Sequence, residues 1–182
     1  MKIYIHQHND WPNFKWNSDA FVGLLSEARN LQGRLFGKME SLGFELRNDA
    51  FLDTLTLDVL KSSEIEGEFL NPAQVRSSIA RKLGMEIAGS VESDRNVDGV
   101  VEMMLDATQN CFLPLTKERL FDWHAALFPT GRSGMSKITV ADWRKDTSGP
   151  MQVVSGAIGK EKVHFQAPGS SKVDNEMHVF LD

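Results

Sequence analysis

Apolar and polar positions alternate along most of this chain with the period of a helix. Phe21, Leu24, Leu25, Ala28, Leu31, Leu35 and Met39 recur at intervals of three and four, which predicts a helix over 18–42. Asn17 or Ser18 can cap its start, and Gly43 ends it. A second periodic run predicts a helix from about 49 to 66, with Gly67 in the usual place for a C-terminal stop. "NPAQVRSSIARKLG" predicts a third helix: Asn71 caps, Pro72 takes the first helical position and Gly84 terminates. Residues 85–94 read as a polar loop. A fourth helix is expected over 95–109, around Val97, Val100, Val101, Met104 and Leu105, and a fifth over 117–127, capped by Thr116.

The period then changes. "PTGRSG" reads as a loop and "KITVADWR" as a short strand. "MQVVSGAIGKEKVHFQAP" predicts a β-hairpin whose arms are "MQVV" and "KVHF". A sixth helix begins near Asp174, and the sequence stops in mid-pattern at Asp182. The expected fold is mostly α, a helical bundle with one β-hairpin, incomplete at its C-terminal end.

One helix end is chemically unusual. Phe51, Leu52, Leu55 and Val59 share an arc of about 100° on a helical wheel. The next residues on that arc are Ser62, Ser63 and Glu66. Glu64 points elsewhere, near Leu57, and Glu68 lies beyond Gly67. Carboxylates here also face the negative end of the helix dipole, at roughly 0.3–1 kcal/mol each when exposed. Either this end projects and Glu66 is solvated, or Glu66 meets an arginine or lysine at a working site, since an unpaired buried carboxylate is costly.

Composition narrows the classes. The 182 residues carry a formal net charge of −5 and a pI near 5.5, which does not suit a nucleic-acid binder with a basic face. Cys111 is the single cysteine, so no disulfide framework and no cysteine zinc site is expected. The N-terminus lacks the apolar run of a signal peptide, and no segment approaches the ~20 apolar residues of a membrane span. A cytoplasmic protein is expected. His6, His8 and Asp10 could be offered to a metal, but no third histidine or cysteine lies close by in sequence, so a surface segment is the simpler reading. Gly156 and Gly159 lack phosphate-loop spacing and suit a hairpin turn; Lys160 and Lys162 beside them can help dock an acidic target or a phosphate. Arg76, Arg81 and Lys82 read as a solvated basic face. Trp11, Phe14, Trp16 and Trp123 read as core. Met39, Met85, Met103, Met104 and Met151 are adaptable contacts for a partner surface.

"SSEIEG", with Ser62, Glu66 and Gly67, matches the inhibitory motif of Fic-domain proteins: Ser or Thr, three residues, Glu, then Gly or Asn. "DWPNFKW", "QGRLFGKM", "SSEIEGE", "NPAQVRSSIARKLG", "DGVVEMMLDATQN", "LFDWHAALFPTGRSG" and "PMQVVSGAIGKEKVHFQAP" resemble, in that order, a Fic protein with an N-terminal helical domain. The resemblance covers essentially the whole chain. It implies an N-terminal helical domain over 1–94 containing the inhibitory helix, and the start of a Fic core over 95–182. It implies kinship with enzymes that transfer AMP from ATP to a protein hydroxyl with Mg²⁺. Glu66 would then be an autoinhibitory plug against an arginine that otherwise holds the γ-phosphate, with Ser62 in support. The hairpin at about 151–166 resembles the flap that docks a target segment by strand pairing, through Met151, Gln152, Val153, Val154, Val163, His164 and Phe165.

The Fic active-site motif, HxFx(D/E)GNGR, does not occur in these 182 residues. His124 begins a partial match, "HAALFPTGR", with Gly131 and Arg132 at the family offsets. Ala126, Phe128, Pro129 and Thr130 replace the phenylalanine, acidic residue, glycine and asparagine, so a packing or hydrogen-bonding role suits His124 better. No catalytic, cofactor or metal residue is assigned in the chain, and ATP and Mg²⁺ are expected only for a complete family enzyme. Two readings follow. One is the regulatory and target-docking part of a protein adenylyltransferase, inactive alone. The other is a non-enzymatic interaction or inhibitory module that acts on another Fic chain or a partner, with self-association possible through exposed apolar surface.

Overall fold

The computed structural model describes residues 4–145 and 149–181. The chain divides into two compact units, Met1–Ala50 and Phe51–Asp182. Among the described residues six α-helices, two short 3-10 turns and two small antiparallel hairpins form a mostly helical fold. The helices are α1 (Val22–Glu40), α2 (Phe44–Ile65), α3 (Pro72–Lys82), α4 (Arg95–Gln109), α5 (Lys117–Leu127) and α6 (Ser170–Leu181). One hairpin pairs β1 (Arg132–Ser133) with β2 (Ser136–Lys137), and the other pairs β3 (Gln152–Ser155) with β4 (Lys162–Gln166).

Local chemistry fixes the helix starts. The Asn71 side chain accepts from the amides of Ala73 and Gln74, at 2.9 and 3.2 Å. Asp94 accepts from Val97 and Thr116 from Arg119 in the same way, which satisfies amides that the first turn leaves orphaned. Asn17 caps a short 3-10 turn, Ser18–Ala20, rather than α1 itself. Two helices begin earlier than their apolar spacing suggests. The carbonyl of Gly43 accepts from Arg47, so α2 starts at Phe44 and not near Asp49. The Gly169 carbonyl accepts from Lys172, and α6 starts at Ser170 and not near Asp174.

The core lies in the second unit. Leu52, Leu55 and Val59 of α2 pack with Val75, Ile79 and Ala80 of α3 and Val97, Val101 and Leu105 of α4. Each fully buried Leu, Ile or Val contributes roughly 1.5–3 kcal/mol. Phe51, expected on the same arc, sits at its edge and is 45% exposed. Two serines share the interior. Ser77 Oγ accepts from the Val91 amide, and Ser78 Oγ donates to Asp98 Oδ1 at 2.5 Å. The buried hydroxyls are thus partnered, as burial requires. The basic run of α3 is solvated, with Arg81 and Lys82 exposed, and it is also paired: Arg76 with Asp53, Arg81 with Asp98 and Lys82 with Glu102.

Helices α4 and α5 approach closely at Gly99. A Cβ there would lie 1.9 Å from the Ala126 carbonyl oxygen. Asp106 secures the same pair of helices, accepting from Arg119 Nε and Trp123 Nε1, each at 2.7 Å. Arg119 also donates to the carbonyls of Asp106 and Asn110, capping the end of α4. Trp123 is therefore half-buried on a polar network. Trp11, Phe14 and Trp16 of the first unit are 44%, 61% and 74% exposed and do not form the core their composition suggests.

"PTGRSG" is not wholly a loop, since Arg132–Ser133 pairs with Ser136–Lys137. Conversely, "KITVADWR" is strand only at Lys137, with no partner strand beyond. Instead Trp143 Nε1 donates to Asp174 at 2.7 Å and its ring meets Phe121 edge-on, while Arg144 donates to the Pro168 carbonyl.

Candidate functional site

The unusual end of α2 closes with a paired turn. The Gly67 amide donates to the Glu64 carbonyl and the Glu68 amide to the Ser63 carbonyl. Gly67 adopts φ +84°, the left-handed conformation this motif demands and a side chain resists. Glu66 is thereby the first residue beyond α2, in the turn that closes the helix, and the chain bends sharply behind it.

That turn opens on a cleft of about 850 Å³ within the second unit. Ser62, Ser63, Glu66 and Glu68 line one side, Leu70, Val100, Met103, Met104, Leu127 and Phe128 supply apolar lining, and Asn96, Arg132 and Ser133 add polar groups. Ser63 is half-buried, whereas Ser62 and Glu66 are exposed. Glu64 is held away by Lys61, 2.5 Å from its carboxylate. Among the described residues Glu66 makes no ion pair. The cleft therefore joins two carboxylates and three serine hydroxyls to a methionine-rich apolar wall. Such a lining suits a cationic side chain carried on an apolar segment.

Sequence spacing finds Ser62, Ser63, Glu66 and Gly67, but not Glu68. The Gly67 turn returns Glu68 to the cleft, and a recognisable glycine stop is the signal that could have shown it. Arg132 enters the cleft from β1, where its guanidinium also donates to the Met135 carbonyl at 3.0 Å. The sequence marks Arg132 only through its offset from His124.

The second candidate element is the β3–β4 hairpin. Gln152 faces Gln166, Val153 faces Phe165, Val154 faces Val163 and Ser155 faces Lys162. The register shifts between Val153 and Val154, leaving His164 as the extra residue of a bulge, which re-aims a side chain. Its Nε2 meets Ser155 Oγ at 2.5 Å. The Met151 carbonyl accepts from Ala167. Met151, Val153, Val154 and Val163 are 62%, 57%, 46% and 48% exposed, and the sheet has only two strands. Among the described residues no third strand pairs with either of them. The turn is tied down by the Gly159 amide donating to Glu161 Oε1.

His124 lies on α5. Its Nδ1 accepts from the Ala141 amide at 3.4 Å, and its ring tilts against Phe128. Of the proposed N-terminal metal ligands, His8 and Asp10 are exposed, and the His6 side chain lies outside the described residues. Among the described residues no group of three or more His, Cys, Asp or Glu is placed to hold a metal.

The carboxylates with strong environments are structural. Burial raises the pKa of Asp98, but hydrogen bonds from Ser78 and Ser93 and the charges of Arg81 and Lys82 outweigh it and hold it below the usual value. Asp106 is lowered to about 2 by hydrogen bonds from Asn110, Arg119 and Trp123.

Residues 4–85 match the family described as "Domain of unknown function (DUF4172)". The match spans α1, α2 and α3. No curated protein matches the chain. Among the described residues no helix is long and apolar enough to cross a membrane.

Proposed function

We propose that this chain is the regulatory and target-docking portion of a Fic-type protein adenylyltransferase, with Glu66 as its autoinhibitory plug. The observation that supports this reading is the setting of Glu66. The residue directly after α2 presents a carboxylate to a cleft, beside Ser62 and Ser63, with no cation paired to it among the described residues.

The chemistry is a competition for one cation. Transfer of AMP needs the phosphate charge of ATP held by arginine and metal. A carboxylate that engages that arginine forms a charge-assisted hydrogen-bonded pair and removes a phosphate anchor. The arginine belongs to the active-site motif of a complete enzyme, so the plug acts on a segment outside these 182 residues. The hairpin supplies the second half of the reading. Its exposed edges and the side chains of Met151, Val153, Val154 and Val163 suit addition of an extended target segment, with main-chain hydrogen bonds giving affinity. ATP and Mg²⁺ are the cofactors of the complete enzyme, and a target protein is its partner.

The test is ATP-dependent labelling. In a protein that joins this chain to its active-site motif, Glu66→Gly is expected to raise incorporation of labelled AMP. Unchanged incorporation in a folded Glu66→Gly protein would remove the plug assignment. The 182-residue chain alone is expected to incorporate none, and incorporation dependent on His124 would overturn that expectation.

A further inference from the structure

Helix α1 carries an apolar stripe that nothing in its own unit buries. None of its 19 residues is buried. Leu24, Leu25, Leu31 and Leu35 are 66%, 62%, 54% and 57% exposed. Leu25, Ala28, Leu31, Leu35 and Phe36 help line a trough of about 570 Å³, all of whose lining residues belong to α1. The opposite face carries Gly23, Ser26, Asn30, Gly33 and Gly37.

The stripe fits a heptad seam. Phe21, Ala28 and Leu35 fall at a, and Leu24 and Leu31 at d, with Lys38 at the d position that ends the seam. Glu27 and Arg34 then fall at consecutive g positions, flanking one side of the seam. Charges at g choose partner and direction in paired helices. In a parallel pair each g residue faces an e residue, here Gln32 or Met39, and no ion pair forms. In an antiparallel pair g faces g, and Glu27 meets Arg34 of the partner subunit twice, by symmetry. The same register sets Leu24 against the partner subunit's Leu35 and Ala28 against the partner subunit's Leu31, while Phe21 meets the alkyl stem of the partner subunit's Lys38 at each end of the seam.

We infer that α1 is a self-association surface on which a second copy of this chain docks antiparallel, with two Glu27–Arg34 pairs fixing direction. This symmetric contact is self-complementary, as a two-fold dimer requires. The test is sedimentation of the full 182-residue chain from low micromolar to near-millimolar concentration. The expected result is a concentration-dependent dimer. Glu27→Arg alone and Arg34→Glu alone each convert two attractions into repulsions. Exposed pairs are worth about 0.2–1 kcal/mol apiece, so each reversal should weaken the dimer about tenfold. The double variant, Glu27→Arg with Arg34→Glu, should restore it. A chain that stays monomeric throughout overturns the inference, as does a dimer indifferent to both single reversals or not restored by the double one. Far-ultraviolet circular dichroism confirms that each variant keeps its helices.

Discussion

Replacing Gly99 by alanine adds one methyl group at the closest approach of α4 and α5. The new Cβ would lie 1.9 Å from the carbonyl oxygen of Ala126 and 2.8 Å from its carbonyl carbon. Ordinary contact begins at 3.4 Å, so the helices must part by an amount on the order of 1.5 Å. Two effects oppose each other. Alanine in a helix interior is favoured over glycine by about 1 kcal/mol. Overpacking costs about 1–3 kcal/mol, and here the obstacle is backbone, which no rotamer change relieves. A backbone obstacle puts the cost at the upper end of that range, about 3 kcal/mol, so the clash should win by about 2 kcal/mol. For a chain of this size that lowers Tm by about 4–8 °C. The neighbouring Val100, Met103 and Met104 line the Glu66 cleft, as do Leu127 and Phe128 after Ala126, so the cleft should loosen with the helix pair. Thermal unfolding followed by circular dichroism reads the stability, and hydrogen exchange of α4 and α5 amides locates it. Gly33→Ala and Gly37→Ala serve as controls, because an added Cβ meets nothing within 4 Å at either position. They should keep only the favourable helix term. A Gly99→Ala protein as stable as wild type would refute the close-packing argument.

Other outcomes follow from single contacts. Asn71→Ala removes the acceptor for two first-turn amides of α3 and should cost about 1 kcal/mol, read as a lower urea midpoint with unchanged slope. Asp106 has its pKa lowered from 3.8 to about 2 in the folded protein. Its contribution to stability is therefore complete above pH 3.8 and is lost as pH falls toward 2. Acid unfolding of an Asp106→Asn protein should be less steep across that window, and an unchanged acid limb would contradict the network at the end of α4.

Helix interiors and glycine stops were legible because they depend on neighbours in sequence. Asn71 with Pro72, Asp94 before Arg95 and Thr116 before Lys117 each mark a start through their own side-chain chemistry. The early starts at Phe44 and Ser170 were less visible, because the Gly43 and Gly169 carbonyls set them rather than any apolar spacing. Arg81 and Lys82 look solvated in sequence, yet Asp98 and Glu102 lie one helix away, a long-range pairing that periodicity does not encode. Trp143 reads as part of a strand until Asp174 and Phe121 engage its indole. The candidate site divides in the same way. The wheel isolates Ser62, Ser63 and Glu66 from the apolar arc of α2. Glu68 and Arg132 reach the same cleft through a left-handed turn and a two-residue strand, which depend on backbone geometry.

The account rests on the three glutamates of "SSEIEGE" being unequal. Glu64 is paired with Lys61, Glu66 faces the cleft directly after the helix, and Glu68 follows the turn. The most direct measurement places Glu64→Gly, Glu66→Gly and Glu68→Gly side by side in a protein that includes the active-site motif, and compares AMP incorporation from labelled ATP. The account predicts a clear rise for Glu66→Gly and little change for Glu64→Gly, with any rise for Glu68→Gly the smaller of the two at the cleft. Equal responses from all three, or no response to Glu66→Gly, would contradict it.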